Sequence, residues 1–412
     1  MSARASAIVS PTLAELELAW AGLPLAALAP ALVARAHARL LELWPLLERW
    51  VEINSFTSNF AGCDQVADEL LRALALPGLD GRRVPGRAAA DHLVWKSAAW
   101  GTRPGVLLVG HHDTVFPPGT FESFSCDAHK LYGPGVLDMK GGLALLRTAA
   151  AALADCGLLA ELPVAVVSVS DEETGSADGR RVLAELTGDA AVGLVFEAGR
   201  VNDAIVTRRK GTGKLVVSAR GRAAHAGNDL SAGRNAIWAL ARFIDGAQRL
   251  TAPDGRVTVN VGLVTGGTSA NTVPAQARCE IDLRATTAAD AEHLVAALQR
   301  LAAELTEQTE VQLTLDGGMR RQPLEPSDAQ GRLASRYGAY AKAVGLSDAQ
   351  AALMGGGSDA NTLAEHGVPA IDGLGPRGQA FHTPQEHAEI ASFAPRLGAL
   401  LAFLLTWEAA QR

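Results

Sequence analysis

The sequence predicts an α/β fold: a mostly parallel sheet flanked by helices, with a smaller α+β domain inserted into it. Three observations predict this. Short apolar runs alternate with amphipathic helical stretches, several of those runs stop at an acidic residue or a histidine, and residues 212–316 break the alternation with a pattern of their own.

Taken in order, residues 1–30 read as an amphipathic helical extension. Leu18 to Ala36 comes nearest to a membrane span, but Pro24 and Pro30 interrupt it. Glu15 and Glu17 precede the apolar run and only Arg4 is basic, which is the wrong start for a signal peptide. A mature N-terminus near residue 37 would be the contrary outcome. Residues 31–52 have helical periodicity, with Leu40, Leu41, Trp44, Leu47 and Trp50 on one side, and Asp64 to Leu76 reads as another helix. Val106 to Val109, Val164 to Val169, Val192 to Phe196 and Val368 to Ile371 are strand-like runs. Gly141 to Leu153, Gly179 to Leu186 and Pro395 to Ala410 are helical.

The insertion runs strand (Lys214 to Ala219), helix (Asn235 to Leu250), two alternating strands (Val257 to Val264, Gln276 to Leu283), helix (Ala288 to Glu307), strand (Val311 to Leu315). That βαββαβ order is the ferredoxin-like arrangement. The expected organisation is therefore an extension over 1–30, a discontinuous main domain over 31–211 and 317–412, and an inserted domain over 212–316.

With 412 residues, 48% hydrophobic and 20% charged, the chain can bury a sizeable core and is not a disordered polymer. A net charge of -7 argues against nucleic acid or an anionic membrane as partner. Cys63, Cys126, Cys156 and Cys279 form no CxxC and no disulfide framework, so reduced thiols in a cytoplasmic protein are expected, a cleaved N-terminal segment being the alternative left open.

In open α/β sheets, sites form beyond the carboxyl ends of the strands. That rule selects His111, Asp113, Asp138, Glu172, Glu173, Glu197 and His382. Two imidazoles with several carboxylates suit a divalent, redox-inert ion such as zinc. In GHHDTVFP, alternation places His111 and Asp113 on one side, where Asp113 can accept the proton of the ring nitrogen that does not bind metal. His112 points away. In YGPGVLDMKGG, Asp138 precedes a helix and in isolation reads as its N-cap, though a carboxylate so held can also bridge two metals. In SDEETGS, three consecutive acids repel one another unless cations neutralise them, and one glutamate can ligate while its neighbour stays free as a base. FEAG supplies Glu197 and AFHTPQEH supplies His382. In the insertion, His225 lies among small residues in AAHAG, and Asn271 in a polar loop before a strand. MGGGSDAN is glycine-rich but no GKS or GKT follows it, so it is not a nucleotide P-loop.

In their order, GHHDTV, YGPGVLDMKGG, SDEETGS, FEAG, AAHAG, GGGSDAN and FHTPQEH resemble the dinuclear zinc aminoacylase and carboxypeptidase family, over about residues 40 to 405. The family includes bacterial glutamate carboxypeptidases, acetylornithine deacetylase, succinyl-diaminopimelate desuccinylase and aminoacylase-1. The resemblance implies a zinc-peptidase catalytic domain with an inserted lid or dimerisation domain, and two Zn2+ per subunit, replaceable by Co2+ or Mn2+. It implies Asp138 as bridging carboxylate, His111 and Glu197 as ligands of one zinc, and Glu173 and His382 as ligands of the other. Glu172 becomes the general base, Asp113 the residue that orients His111, and His225 the histidine that stabilises the oxyanion in the partner subunit's site of a homodimer. Asn271, Arg284, Gly356 and Gly357 become substrate-binding residues.

The activity so implied is hydrolysis of an amide bond by a metal-bridged hydroxide, releasing a C-terminal amino acid from an N-acyl or short peptidyl substrate. An N-deacylase of the acetylornithine or succinyl-diaminopimelate type is the alternative. Glutamate at position 197 goes with deacylases and carboxypeptidases, where aminopeptidases have aspartate. Leu353-Met354 stands where folate-cleaving members have an arginine, which leaves the identity of the released amino acid open.

Overall fold

The computed structural model describes residues 8–24 and 29–407. The expected N-terminal extension thus falls partly, over 1–7 and 25–28, outside the described residues, as do residues 408–410 of the expected last helix. The chain divides into two compact units: Met1–Thr207 with Pro326–Ala352 and Ser358–Arg412, and Arg208–Glu325 with Leu353–Gly357.

The larger unit opens with α1 (Leu13–Ala19), started by a reciprocal cap in which Thr12 accepts from the Glu15 amide and Glu15 from the Thr12 amide. Leu16, Trp20 and Leu23 are buried in the same core as the helix α2 (Ala29–Val51). The helix α3 (Phe60–Ala73) begins earlier than periodicity suggested, because the Asn59 side chain accepts from the Gly62 amide and caps it there. There follow β1 (Leu79–Val84), β2 (His92–Ser97), β3 (Gly105–His111), the short strands β4 (Ser125–Cys126) and β5 (Lys130–Tyr132), α4 (Lys140–Asp155), β6 (Val164–Val169), α5 (Gly179–Ala184) and β7 (Ala190–Val195).

The smaller unit is β8 (Gly211–Arg220), α6 (Ala236–Gln248), β9 (Val257–Gly266), β10 (Gln276–Ala285), α7 (Ala288–Thr309) and β11 (Gln312–Arg321), its four strands antiparallel in the order β11-β8-β10-β9. That is the βαββαβ sheet read from the sequence. Its own core gathers Leu215, Val217, Phe243, Ile281, Leu283 and Leu298. Met354 joins this unit through backbone bonds to Arg208 and Lys210.

The chain returns to the larger unit with α8 (Asp328–Ala343), α9 (Asp359–Glu365), β12 (Ala370–Ile371), β13 (Gly378–Gln379), β14 (His387–Glu389) and α10 (Phe393–Leu405). Its main sheet has the order β1-β2-β6-β3-β7-β12. Strands β6, β3, β7 and β12 run parallel, while β1 and β2 are added antiparallel at one edge. Every residue of β3 and β6 is buried, as parallel strands covered on both faces must be. A buried Val or Leu side chain contributes about 1.5–3 kcal/mol, so these two strands hold their carboxyl ends firmly. Among the described residues, no helix is long and apolar enough to cross a membrane.

Candidate metal centre

The carboxyl ends of the central strands converge as the strand-end rule requires. His111 closes β3, Glu172 and Glu173 follow β6 in a single 3-10 turn, and Glu197 follows β7. Asp138 lies in the turn before α4, and His382 follows β13. His111, Asp138, Glu172 and Glu197 are buried, whereas the His382 side chain is 48% exposed.

Asp138 presents one oxygen to each histidine. Its Oδ1 is 3.4 Å from His111 Nε2 and its Oδ2 is 3.3 Å from His382 Nε2. His111 Nε2 is also 3.7 Å from Glu197 Oε1, and His382 Nε2 is 3.2 Å from Glu173 Oε2. Two ligand atoms bound at about 2.0–2.1 Å to one tetrahedral zinc stand about 3.3 Å apart. Three of the four spacings fit that figure and the fourth is a little long; His111 also lies within 4.8 Å of a Glu173 oxygen, so the donors form one continuous array around Asp138. His111 Nε2, Asp138 Oδ1 and Glu173 Oε1 are buried without a hydrogen-bond partner, and unpaired groups of this kind call for an explanation. Positive charge of a bound cation would satisfy them. A Glu172 oxygen also lies within 4.8 Å of the His111 and Glu197 donor atoms.

Asp113 organises this array. Its carboxylate, fully buried, accepts from the Thr57 hydroxyl at 2.7 Å and from the Glu172 and Glu173 amides at 3.2 Å each. His111 Nδ1 lies 3.3 Å from Asp113 Oδ1 and 3.1 Å from its carbonyl oxygen. The Nδ1 proton is thereby fixed, which leaves Nε2 with its lone pair toward the carboxylates. The bland reading of Asp138 as a helix cap is corrected: the N-cap position of α4 is Met139, with no side-chain cap bond, and Asp138 faces the histidines. The Asp138-Met139 peptide is cis. The turn is held on one flank by Lys140, whose buried ammonium donates to the Trp50 and Ile53 carbonyls at the end of α2. On the other flank, Glu386 accepts from the Leu137 and Asp138 amides. The loop after Glu197 is tied down by Asp203, which accepts from both Arg377 and Arg396.

The carboxylates strain against one another. Burial first, then the charge of Asp138, pushes Glu173 up to about 8 and raises Glu197 well above its ordinary value. Burial would raise Asp138 too, but the facing His111 and His382 rings outweigh that and hold it down. The carboxylates of Asp138 and Glu173, which accept from the His382 ring, push it up to about 10. A pocket that raises its acids and its bases in this way is one in which added positive charge stabilises the ionised carboxylates. His112 is the counter-example beside it. Burial lowers it to about 3, and Nδ1 pairs with Ser168 Oγ at 2.8 Å on the far side of the strand.

The remaining sequence candidates lie in the smaller unit. His225 is exposed; its Nδ1 accepts from the Gly227 and Asn228 amides at 3.1 Å each, which places the ring proton on Nε2. Asn271 is adjacent, since its carbonyl accepts from the Ala226 amide. Arg284 is not part of that group: its guanidinium forks onto Asp282 at 2.8 Å. The Gly356 carbonyl accepts from Arg209, and Gly357 packs beside Thr212 and Arg321. Thr57, Lys140, Glu386 and Asp203 escaped the sequence reading. Only Lys140 gave a signal there, as a lysine inside an otherwise apolar helix start.

A parallel α/β sheet with a carboxylate and imidazole pair of ligand groups at its strand ends defines a metallohydrolase. The sequence comparison makes the class specific: residues 107–406 match the model of peptidase family M20/M25/M40, and the chain belongs to that family. It is similar to carboxypeptidase G2 of Pseudomonas sp. (strain RS-16), 26% identical over 358 residues covering 85% of this chain and 86% of that one. It is similar also to succinyl-diaminopimelate desuccinylase of Xanthomonas oryzae pv. oryzae, 29% identical over 370 residues covering 82% and 91%. The fold matches that of aminopeptidase PepT from Bacillus cereus, with a TM-score of 0.70 at 22% identity over 88% of this chain and 97% of that one. The chain is thus a hydrolase of amide bonds in acyl or peptidyl substrates.

Proposed function

We propose that the protein releases the C-terminal amino acid from an N-acyl or short peptidyl substrate, with two zinc ions as its resident metals. His111 and Glu197 would hold one ion, Glu173 and His382 the other, and Asp138 both. The observation that carries this reading is the Asp138 carboxylate, with one oxygen directed at each histidine. Imidazole nitrogen and carboxylate oxygen donors suit zinc, with Co2+ or Mn2+ as substitutes. Bound there, the ions supply Lewis acidity toward the amide carbonyl and a lowered pKa for water.

The chain's own residues do the rest. Glu172 takes the proton of the attacking water and delivers it to the leaving nitrogen. Asp113 keeps His111 in the tautomer that presents Nε2. His225, protonated on Nε2, donates to the developing oxyanion. Asn271, Gly356 and Gly357 contact the substrate, and Arg284 joins them only on leaving Asp282. The active species is a homodimer joined through the smaller unit. Exposed Ile237 and Trp238 on α6, and Leu263 and Val264 on the edge strand β9, support that. Four free thiols support a cytoplasmic location.

A deacylase of the acetylornithine or succinyl-diaminopimelate type is the second reading. It is favoured by Leu353-Met354, whose backbone is pinned to Arg208 and Lys210 where folate-cleaving members have an arginine. A panel of N-acyl amino acids and dipeptides, with and without added zinc, decides between them. Zinc-dependent release across varied acyl groups with one preferred amino acid supports the first reading, and preference for one small acyl group supports the second. No zinc-dependent hydrolysis of any member sinks both. An active monomer would end the proposed role of His225 in the neighbouring site.

A further inference from the structure

We propose that Glu386 is a positioning residue for the bridging carboxylate: it fastens the Asp138 turn to the loop carrying His382, and so fixes the His382–Glu173 half of the centre. This rests on the two-metal reading above and assigns a further residue to it. Glu386 is 1% exposed and sits four residues beyond His382. Its Oε1 accepts from the Leu137 amide at 2.9 Å and the Asp138 amide at 3.0 Å, across 249 and 248 residues of chain. The Gly135 amide acts on the same carboxyl. Consecutive backbone N–H groups converging on one buried carboxyl oxygen fix geometry whichever way the group titrates, because the oxygen accepts in either state. Here they fix the backbone from which the Asp138 side chain projects.

The two halves of the centre differ in what else orients them. His111 is 1% exposed, closes a buried strand, and is locked at Nδ1 by Asp113. His382 is half-exposed and lies on a loop. Ala380 and His382 both adopt positive φ, at 62° and 64°, a conformation that residues other than glycine keep only where the surroundings impose it. Two turn bonds, Thr383 amide to Ala380 carbonyl and Glu386 amide to Thr383 carbonyl, run from that loop directly to Glu386. Glu386 is therefore the buried end of an otherwise exposed ligand loop, and it is anchored on the very turn that holds the shared carboxylate. Because Asp138 is shared, loss of Glu386 reaches both halves, but the His382 half more, since the other keeps its Asp113 brace.

The test is Co2+ binding to the chelated full-length protein, followed by visible absorbance and elemental analysis, for the unmodified chain, Glu386→Ala, Glu386→Asp and Glu386→Gln. In Glu386→Ala the second equivalent is weakened about 10–100-fold, the range for residues that orient metal ligands, and the first clearly less. Glu386→Gln keeps an acceptor oxygen at full reach and binds the second ion close to normally. Glu386→Asp keeps the charge, falls short by one methylene, and behaves like Glu386→Ala. Should Glu386→Ala not fold, the contrast between Gln and Asp decides. The proposal is overturned if the second equivalent binds equally well in all four proteins, if both equivalents weaken to the same degree, or if Asp and Gln are indistinguishable. An unmodified chain that binds fewer than two ions would instead remove the two-metal reading on which the proposal stands.

Discussion

Asp113→Asn isolates the contribution of the residue that organises the centre. In the native carboxylate, Oδ1 faces His111 Nδ1 and the Glu172 amide, and Oδ2 faces the Thr57 hydroxyl and the Glu173 amide. Asparagine must put an NH2 group in place of one oxygen. In the Oδ1 position that group meets two N–H donors. In the Oδ2 position it meets a hydroxyl, which can turn and accept, and one N–H, which cannot. The second placement is therefore preferred, and it leaves the Glu173 amide buried without an acceptor. Losing that bond, and replacing ionic by neutral acceptance in the others, costs about 2–4 kcal/mol of folding stability. The orienting bond to His111 survives in neutral form, and metal affinity or activity falls about 10–100-fold. Urea unfolding, metal content and kcat/KM measure the three effects. An Asp113→Asn protein with native unfolding and native kcat/KM would refute the reasoning. Asp113→Ala is less informative, because at least two buried amides lose their acceptor at about 1–3 kcal/mol each, a large part of a domain's total of about 5–15 kcal/mol.

Three further outcomes are expected. Glu172→Ala keeps its metal, read by elemental analysis, and loses about 10²–10⁴-fold in turnover; near-normal turnover would displace Glu172 as the base. Exhaustive chelation abolishes hydrolysis and zinc or cobalt restores it, whereas full activity in the chelated protein would end the two-metal scheme. Asp178 tests the acid limb of stability. Burial opposes its ionisation, but hydrogen bonds from Arg181, the Arg87 amide and His92 win and bring it down to about 2 from the ordinary 3.8. Above about pH 4 it is ionised in both folded and unfolded chains, and its stabilisation is complete. As pH falls toward 2 the unfolded chain takes up the proton first, and that stabilisation is lost. The difference in urea midpoint between the native protein and Asp178→Asn should thus shrink from pH 5 to pH 3; a difference constant with pH would refute this.

The fold and the strand-end cluster were legible for the same reason: buried parallel strands must be apolar, so a polar residue where one ends stands out. His111, Glu172, Glu173 and Glu197 all announce themselves in this way. The insertion was legible because its strands are long and alternate. Strands β1 and β2 were missed, the first because LDGRRV is an edge strand with mostly solvated side chains, and β4, β5, β13 and β14 because two or three residues hold no period. Thr57, Asp203 and Glu386 were illegible for another reason, and Lys140 showed only as an odd lysine with no partner in view. Each works by reaching a backbone group or carboxylate far along the chain, and a single sequence carries no trace of such a pairing.

The acidic turn shows where reading by residue type stops short. The sequence put three acids side by side and left the role of the first unassigned; the structure turns it away from the other two. Asp171 turns back to accept from the Asp178 and Gly179 amides, and so supports the start of α5. A 3-10 turn has about 3.0 residues per turn, so successive side chains diverge by about 120°. Asp171, Glu172 and Glu173 therefore cannot share a direction: Glu172 goes toward His111 and Glu197, and Glu173 toward His382. The same rotation separates a free base from a ligand one residue apart. Lengthening the turn by one residue would exchange those directions, so an alanine inserted after Asp171 should cost both metal binding and turnover, whereas the same insertion after Gly188, in the loop before β7, should cost neither. Equal loss from the two insertions, in proteins of equal stability, would mean that the turn's rotation does not set the two roles.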